Sequence, residues 1–211
     1  MEISPVMDAL QKARDKHSIP QQLPDSDVRT FADLFALARK NFSDLPAYTC
    51  HKKTITFGEL DELSTRMAAA IQQRDYLEPG DRIAIQLPNL LQYPVAAMAI
   101  LKAGMTLVNV NPLYTDRELE NLLVDSGAKM VITFNCLAAE LNQIVAKTDV
   151  REVVVTEFAD LHDGPKRFLI NFVIRYIKRT VPNLSWSSSI SFRSLLNSGQ
   201  AENFVACQSK P

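Results

Sequence analysis

Between residues 82 and 156 the sequence alternates short β-prone runs with longer amphipathic stretches, and no other feature constrains the fold as strongly. Residues 82–87, 105–110, 129–133 and 152–156 read as strands, and residues 90–103, 115–126 and 137–147 as the helices between them. Gly104 and Gly127 stand just past two of these helices, where a left-handed residue closes the last turn, and Thr115 with Glu118 three residues on makes a capping box. Strands joined by single helices of this length need right-handed crossovers. The expected class is therefore α/β, a doubly wound and mostly parallel sheet with flanking helices. Such a sheet takes ligands beyond the carboxyl ends of its strands, which points to Pro88-Asn89 and to the loop 110–114 with Asn111, Pro112 and Leu113.

Residues 1–29 read as a polar, helical arm that ends in a proline-containing stretch. In residues 30–42, Phe31, Leu34, Phe35, Ala38 and Phe42 recur at three-and-four spacing, which predicts a core-facing helix. Residues 47–50 and 54–57 form a hairpin across His51, Lys52 and Lys53, without the favoured Asn-Gly turn, and feed a helix from Glu59. Residues 30–157 thus make an α/β subdomain of a hairpin and repeated βα units. After Thr156 the alternation is expected to stop, with residues 158–211 beginning a further subdomain.

Composition excludes several function classes. Lys and Arg total 23 against 24 for Asp and Glu, so no global field draws the chain to nucleic acid. No apolar run approaches the ~20 residues that cross a bilayer, and no secretory leader opens the sequence, which predicts a cytoplasmic chain. The three cysteines and three histidines are scattered without metal-ligand spacing, so no metal is assigned. The six glycines lie more than twenty residues apart, which rules out both GxGxxG and GxxxxGK[ST]. Clustered glycines let successive N–H groups reach an anion, so a phosphate loop is not expected in these residues.

One local charge pattern stands out. Lys166, Arg167, Arg175, Lys178 and Arg179 lie between two prolines with no acidic residue among them. On a helix, Asn171, Arg175, Lys178 and Arg179 fall within an arc of about 100°, opposite a broad apolar face. Such a helix suits an anionic membrane surface, at about 1 kcal/mol per charge near it, or the face of a partner.

Several stretches resemble one family. ITFGEL (residues 55–60), LPNLLQYPVAAMAILKAG (87–104), LKAGMTLVNVNPLYTDREL (101–119), NFVIRYIKRTVPN (171–183) and ISFRSLLNSG (190–199) are similar to the amino-terminal part of AMP-forming acyl-CoA synthetases of the adenylate-forming superfamily, most closely the bacterial long-chain fatty acid:CoA ligases. The resemblance implies a fold forming part of that superfamily's large amino-terminal domain. It implies conversion of a long-chain fatty acid, ATP and CoA to acyl-CoA, AMP and pyrophosphate through an acyl-adenylate, with Mg²⁺ as cofactor. It also implies that Asn111, Pro112 and Leu113 lie where CoA approaches, and that no catalytic residue is among those present.

The ending, ENFVACQSKP, stops short of the family's phosphate loop, so the sequence reads as a truncated amino-terminal part, inactive without its carboxy-terminal remainder. Tyr93 stands near the implied acyl tunnel and is left unassigned. Further expectations are a place on the inner face of the membrane, through the basic stretch, and a homodimer. The competing reading is a non-catalytic scaffold that docks on a membrane or a partner.

Overall fold

The computed structural model describes residues 4–19, 28, 30–162, 164–172 and 188–207; the side chains of Ser4, Ala139, Glu140, Lys166 and Arg167 fall outside that description. Helix α1 (Ser4–Lys16) is solvent-exposed along most of its length. Helix α2 (Phe31–Phe42) follows a capping box in which the Thr30 hydroxyl accepts the Asp33 N–H while the Asp33 carboxylate accepts the Thr30 N–H. Strands β1 (Pro46–Cys50) and β2 (Lys53–Thr56) pair antiparallel across a two-residue turn, with His51 and Lys52 at φ 45° and 66°. Positive φ at both turn residues matches the right-handed twist of the strands, and here it is reached without glycine. Thr56 and Glu59 then cap α3 (Phe57–Gln72) by the same reciprocal pair of bonds.

The expected alternation follows. Strands β3 (Arg82–Gln86), β4 (Thr106–Asn109), β5 (Met130–Phe134) and β6 (Glu152–Thr156) are joined by α4 (Gln92–Lys102), α5 (Asp116–Ser126) and α6 (Ala138–Ile144), the last continued by a 3-10 turn. Gly104 and Gly127 take φ 78° and 59° at the ends of α4 and α5, and Thr115 caps α5 with Glu118 as the sequence predicts.

Five strands form one parallel sheet in the order β4-β3-β5-β6-β7, in register pairs such as Ile83 with Leu107 and Met130. The fifth, β7 (Ser189–Ser191), and α8 (Phe192–Ser198) extend the alternation one unit beyond Thr156, where the sequence reading ended it. Between them and β6, α7 (Gly164–Phe172) starts the expected basic helix, while Arg175, Lys178 and Arg179 lie outside the described residues.

Pleating splits the apolar side chains of each strand between two faces. Ile83, Ile85, Met130, Ile132 and Val154 point to α3, α4 and α8, where Met67, Ile71, Val95, Ile100 and Phe192 complete one buried cluster. Ala84, Val131 and Val153 point the other way, to Leu119, Leu123, Leu141 and Ile144 of α5 and α6. Helices cover both faces, as a doubly wound sheet requires. Helix α2 departs from expectation: it contains no buried residue, and of its predicted stripe Phe31, Leu34 and Phe42 are exposed while Phe35 and Ala38 are half-buried. It packs on α3 and α4 through a narrow line, and its apolar stripe is wider than the contact it makes.

Candidate functional site

The strand order fixes where a ligand crevice lies. From β3 the chain crosses to β4 on one side and then returns past β3 to β5 on the other, so the switch point lies at the carboxyl ends of β3 and β5. The loops at this edge are 87–91 after β3, 110–115 after β4, 135–137 after β5 and 157–162 after β6.

The loop after β4 is held by its own residues. Asn111 Oδ1 accepts the Leu113 N–H at 3.0 Å and the Asn111 carbonyl accepts the Tyr114 N–H at 3.1 Å, so the Asn111 side chain shapes the turn. Pro112 stiffens it, and Leu113 projects into solvent at 87% exposure. The Tyr93 hydroxyl, left unassigned from sequence, donates to Asn109 Oδ1 at 3.3 Å at the last residue of β4. At the switch point the Thr133 hydroxyl donates to Gln86 Oε1 at 3.0 Å between fully buried register partners.

Sequence reasoning missed the loop after β6, which four elements hold together. Gln92 at the start of α4 donates from Nε2 to the carbonyls of Glu157 and Phe158, at 2.8 and 3.3 Å. Asn171 of α7 accepts the Ala159 N–H on Oδ1 and donates from Nδ2 to the Glu157 carboxylate at 2.7 Å. Arg193 of α8 donates from Nη1 to the Asp160 carbonyl at 2.7 Å, and the His51 ring of the hairpin turn lies 4.6 Å from that of Phe158. Within the loop, Asp160 Oδ2 accepts the Thr156 hydroxyl and the Glu157 N–H, at 3.0 and 2.8 Å. Burial pushes the Asp160 carboxyl up, helped by the Glu157 charge and opposed by these hydrogen bonds and by Arg193. The available signal was the cluster of acidic and histidine residues in EFADLHD, directly after a buried strand.

Glycine placement bears on nucleotide binding at these loops. Gly80, Gly104 and Gly127, three of the four glycines with positive φ, all precede strands at the amino edge of the sheet, while loops 87–91, 110–115 and 135–137 contain no glycine. The backbone cradle that clustered glycines would supply is therefore absent from the ligand-binding edge of the described residues.

Against this geometry, the AMP-binding enzyme family matches residues 35–172, well over half of the chain. The chain belongs to that family. It is 42% identical over 187 residues to a long-chain-fatty-acid–CoA ligase of Escherichia coli O157:H7, and 43% identical over 187 residues to the corresponding ligase of Salmonella typhimurium. Each alignment takes in 89% of this chain and 33% of the relative, so the chain spans about a third of the length of the ligases it matches. The fold agrees: a long-chain-fatty-acid-CoA ligase of Archaeoglobus fulgidus superposes with a TM-score of 0.60 at 21% identity, over 81% of this chain and 30% of the other. These matches favour the ligase family over a scaffold without chemistry.

Proposed function

We propose that the chain acts as the amino-terminal scaffold of an AMP-forming ligase that joins a long-chain fatty acid to CoA through an acyl-adenylate. The observation that carries this reading is identity above 40% to long-chain-fatty-acid–CoA ligases along 89% of the chain. A free carboxylate is a poor electrophile because its oxygen leaves badly, and adenylation replaces that leaving group with AMP. ATP and Mg²⁺ supply that activation. The residues present supply the sheet and its carboxyl-edge loops and no phosphate cradle, so the chain alone forms no acyl-adenylate. We assign the CoA approach to Asn111, Pro112 and Leu113, supported by a self-braced loop at the carboxyl edge with an exposed apolar tip.

The test is a chimera. This chain replaces the matching third of the Escherichia coli O157:H7 ligase, and palmitoyl-CoA formation is assayed beside the isolated chain. Activity within about tenfold of the parent (a barrier change of about 1.4 kcal/mol) supports the reading. A folded chimera without activity, or an isolated chain that makes acyl-CoA, overturns it.

A membrane-docking role at the cytoplasmic face is the finer part of the proposal. Helix α7 exposes Phe168, Leu169 and Phe172 next in sequence to Lys166 and Arg167, and Arg175, Lys178 and Arg179 follow. Among the described residues no helix is long and apolar enough to cross a membrane. Co-sedimentation with anionic but not neutral vesicles is expected, and equal or absent binding to both removes this role. The exposed Phe31, Leu34 and Leu37 of α2 likewise support self-association, which sedimentation of an L34K/L37K variant beside the parent chain would measure.

A further inference from the structure

Beside the loop after β6 an open cavity of about 290 Å³ is lined by residues of β2, α3, α8 and that loop. Its lining mixes the apolar side chains of Ile55, Leu63, Leu161 and Leu196 with charged and polar ones. The walls sort those charges by depth. Lys53, Arg66 and Arg193 are half-buried, whereas Glu59 and Glu62 are solvent-exposed at the rim, where water screens them. Glu59 is further engaged in capping α3. Asp160, the remaining acid, is 4% exposed and turns its Oδ2 to the Thr156 hydroxyl and the Glu157 N–H.

Both guanidiniums retain most of their donors. Arg66 makes one long hydrogen bond, from Nη2 to Asn197 Oδ1 at 3.5 Å, and Arg193 makes one, from Nη1 to the Asp160 carbonyl. Neither is ion-paired among the described residues, although each carries five N–H groups. Two half-buried guanidiniums without an ion pair on one open cavity leave several N–H donors to an anionic ligand. A single arginine fork satisfies a planar carboxylate, whereas two forks match the tetrahedral array of acceptors on a phosphate.

We propose that the cleft between α3 and α8 is a phosphate-binding site, with Arg66 and Arg193 as its forks. It is separate from the CoA-approach loop and does not depend on the ligase reading. The phosphate comes either free or as the terminal group of a phosphorylated small molecule whose body lies on Leu63 and Leu196.

The test is a titration of the 211-residue chain with inorganic phosphate and, separately, glycerol 3-phosphate, at constant ionic strength made up with chloride. Calorimetry is read beside the arginine Nε–H resonances. Saturable binding is expected to shift the Arg66 and Arg193 resonances, and to weaken about tenfold or more in Arg66→Gln and in Arg193→Gln, each being one charge-assisted fork. Arg117→Gln, on the exposed face of α5, is expected to bind like the parent. Arg193→Lys, which keeps a donor for the Asp160 carbonyl, separates loss of the fork from loss of the fold and is expected to bind weakly while melting like the parent. Equal affinity for the two ligands identifies free phosphate as the source, and tighter binding of glycerol 3-phosphate identifies a phosphorylated small molecule. No saturable binding, or binding unchanged in both glutamine variants, overturns the site.

Discussion

The side-chain amide of Gln72 brackets the peptide of Val205, donating from Nε2 to its carbonyl at 2.8 Å and accepting its N–H on Oε1 at 3.1 Å. The two residues are 133 positions apart, and the pairing lays the segment after α8 along the end of α3. The same Nε2 reaches Cys207 Sγ at 3.4 Å, and that thiol donates to the Ala103 carbonyl.

Replacing Gln72 by alanine removes both of its hydrogen bonds to the Val205 peptide. The expected cost is about 1–2 kcal/mol, with protection of the Val205 amide lost in hydrogen exchange. An unchanged exchange rate at Val205 would contradict the strap.

Gly199 is a packing requirement. A Cβ added there would sit 1.8 Å from the Arg66 carbonyl oxygen and 3.0 Å from the Ala70 nitrogen, both backbone atoms of α3 that cannot rotate aside. Gly80, at φ 93°, has open space around its position. Gly199→Ala is therefore expected to cost about 3 kcal/mol or more through overpacking, and Gly80→Ala about 1 kcal/mol through backbone strain alone. Urea melts of the two variants provide the comparison, and equal losses would refute the close approach.

Much of this was legible in sequence and some of it was not, for identifiable reasons. The strands from β3 to β6 and their helices follow from periodicity, since each buried position recurs at the spacing its element requires. Strand β7 is three residues long, SIS, and carries no apolar run, so only its pairing with β6 defines it. The α2 stripe shows which side chains share a face but not whether anything covers that face. The capping pairs Thr30–Asp33 and Thr56–Glu59 were readable as T-x-x-D and T-x-x-E. The loop after β6 was not readable, because Gln92, Asn171 and Arg193 reach it from three separate elements, the first of them 65 residues away.

Two aspartates predict opposite pH dependences. For Asp81, burial raises the carboxyl, but the Lys129 hydrogen bond at 2.8 Å, the Glu78 N–H and the charges of Lys129 and Arg82 outweigh it and leave the carboxyl low. Its stabilisation is complete above the ordinary aspartate value of about 3.9 and is lost as pH falls through the lower native value. Asp81→Asn should therefore melt below the parent at pH 7, with the gap closing in acid. For Asp160 the native value is raised, so the folded state holds the proton more tightly and stability declines as pH rises from about 4 through that value. Asp160→Asn should gain on the parent over that interval. Parallel melting profiles for parent and variant would refute either assignment.

Lys102 ties α4 to α3. Its Nζ donates to Asp61 Oδ1 at 2.7 Å, the Asp61 carbonyl, Ser64 Oγ and Thr65 Oγ1, and Arg39 of α2 takes Asp61 Oδ2 at 2.8 Å. Burial pushes the ammonium down, while Asp61 pulls it up. Lys102→Met leaves two hydroxyls and half a carboxylate without a donor, at an expected cost of roughly 2 kcal/mol after allowance for partial exposure. A double-mutant cycle with Arg39→Ala should show coupling above about 0.5 kcal/mol, because both cations share Asp61. Strict additivity would mean that the shared carboxylate does not link α2 to α4.

The strand order also has a temporal reading. β3 and β4 are the first parallel strands to be synthesised and pair with each other; β5 then joins the free side of β3, β6 joins β5 and β7 joins β6. Every later strand adds to an edge that already exists, and none has to be inserted between partners already bonded. A chain released amino terminus first can thus grow its sheet outward in one direction, with no earlier pairing to undo, as Ser189–Ser191 adds to β6.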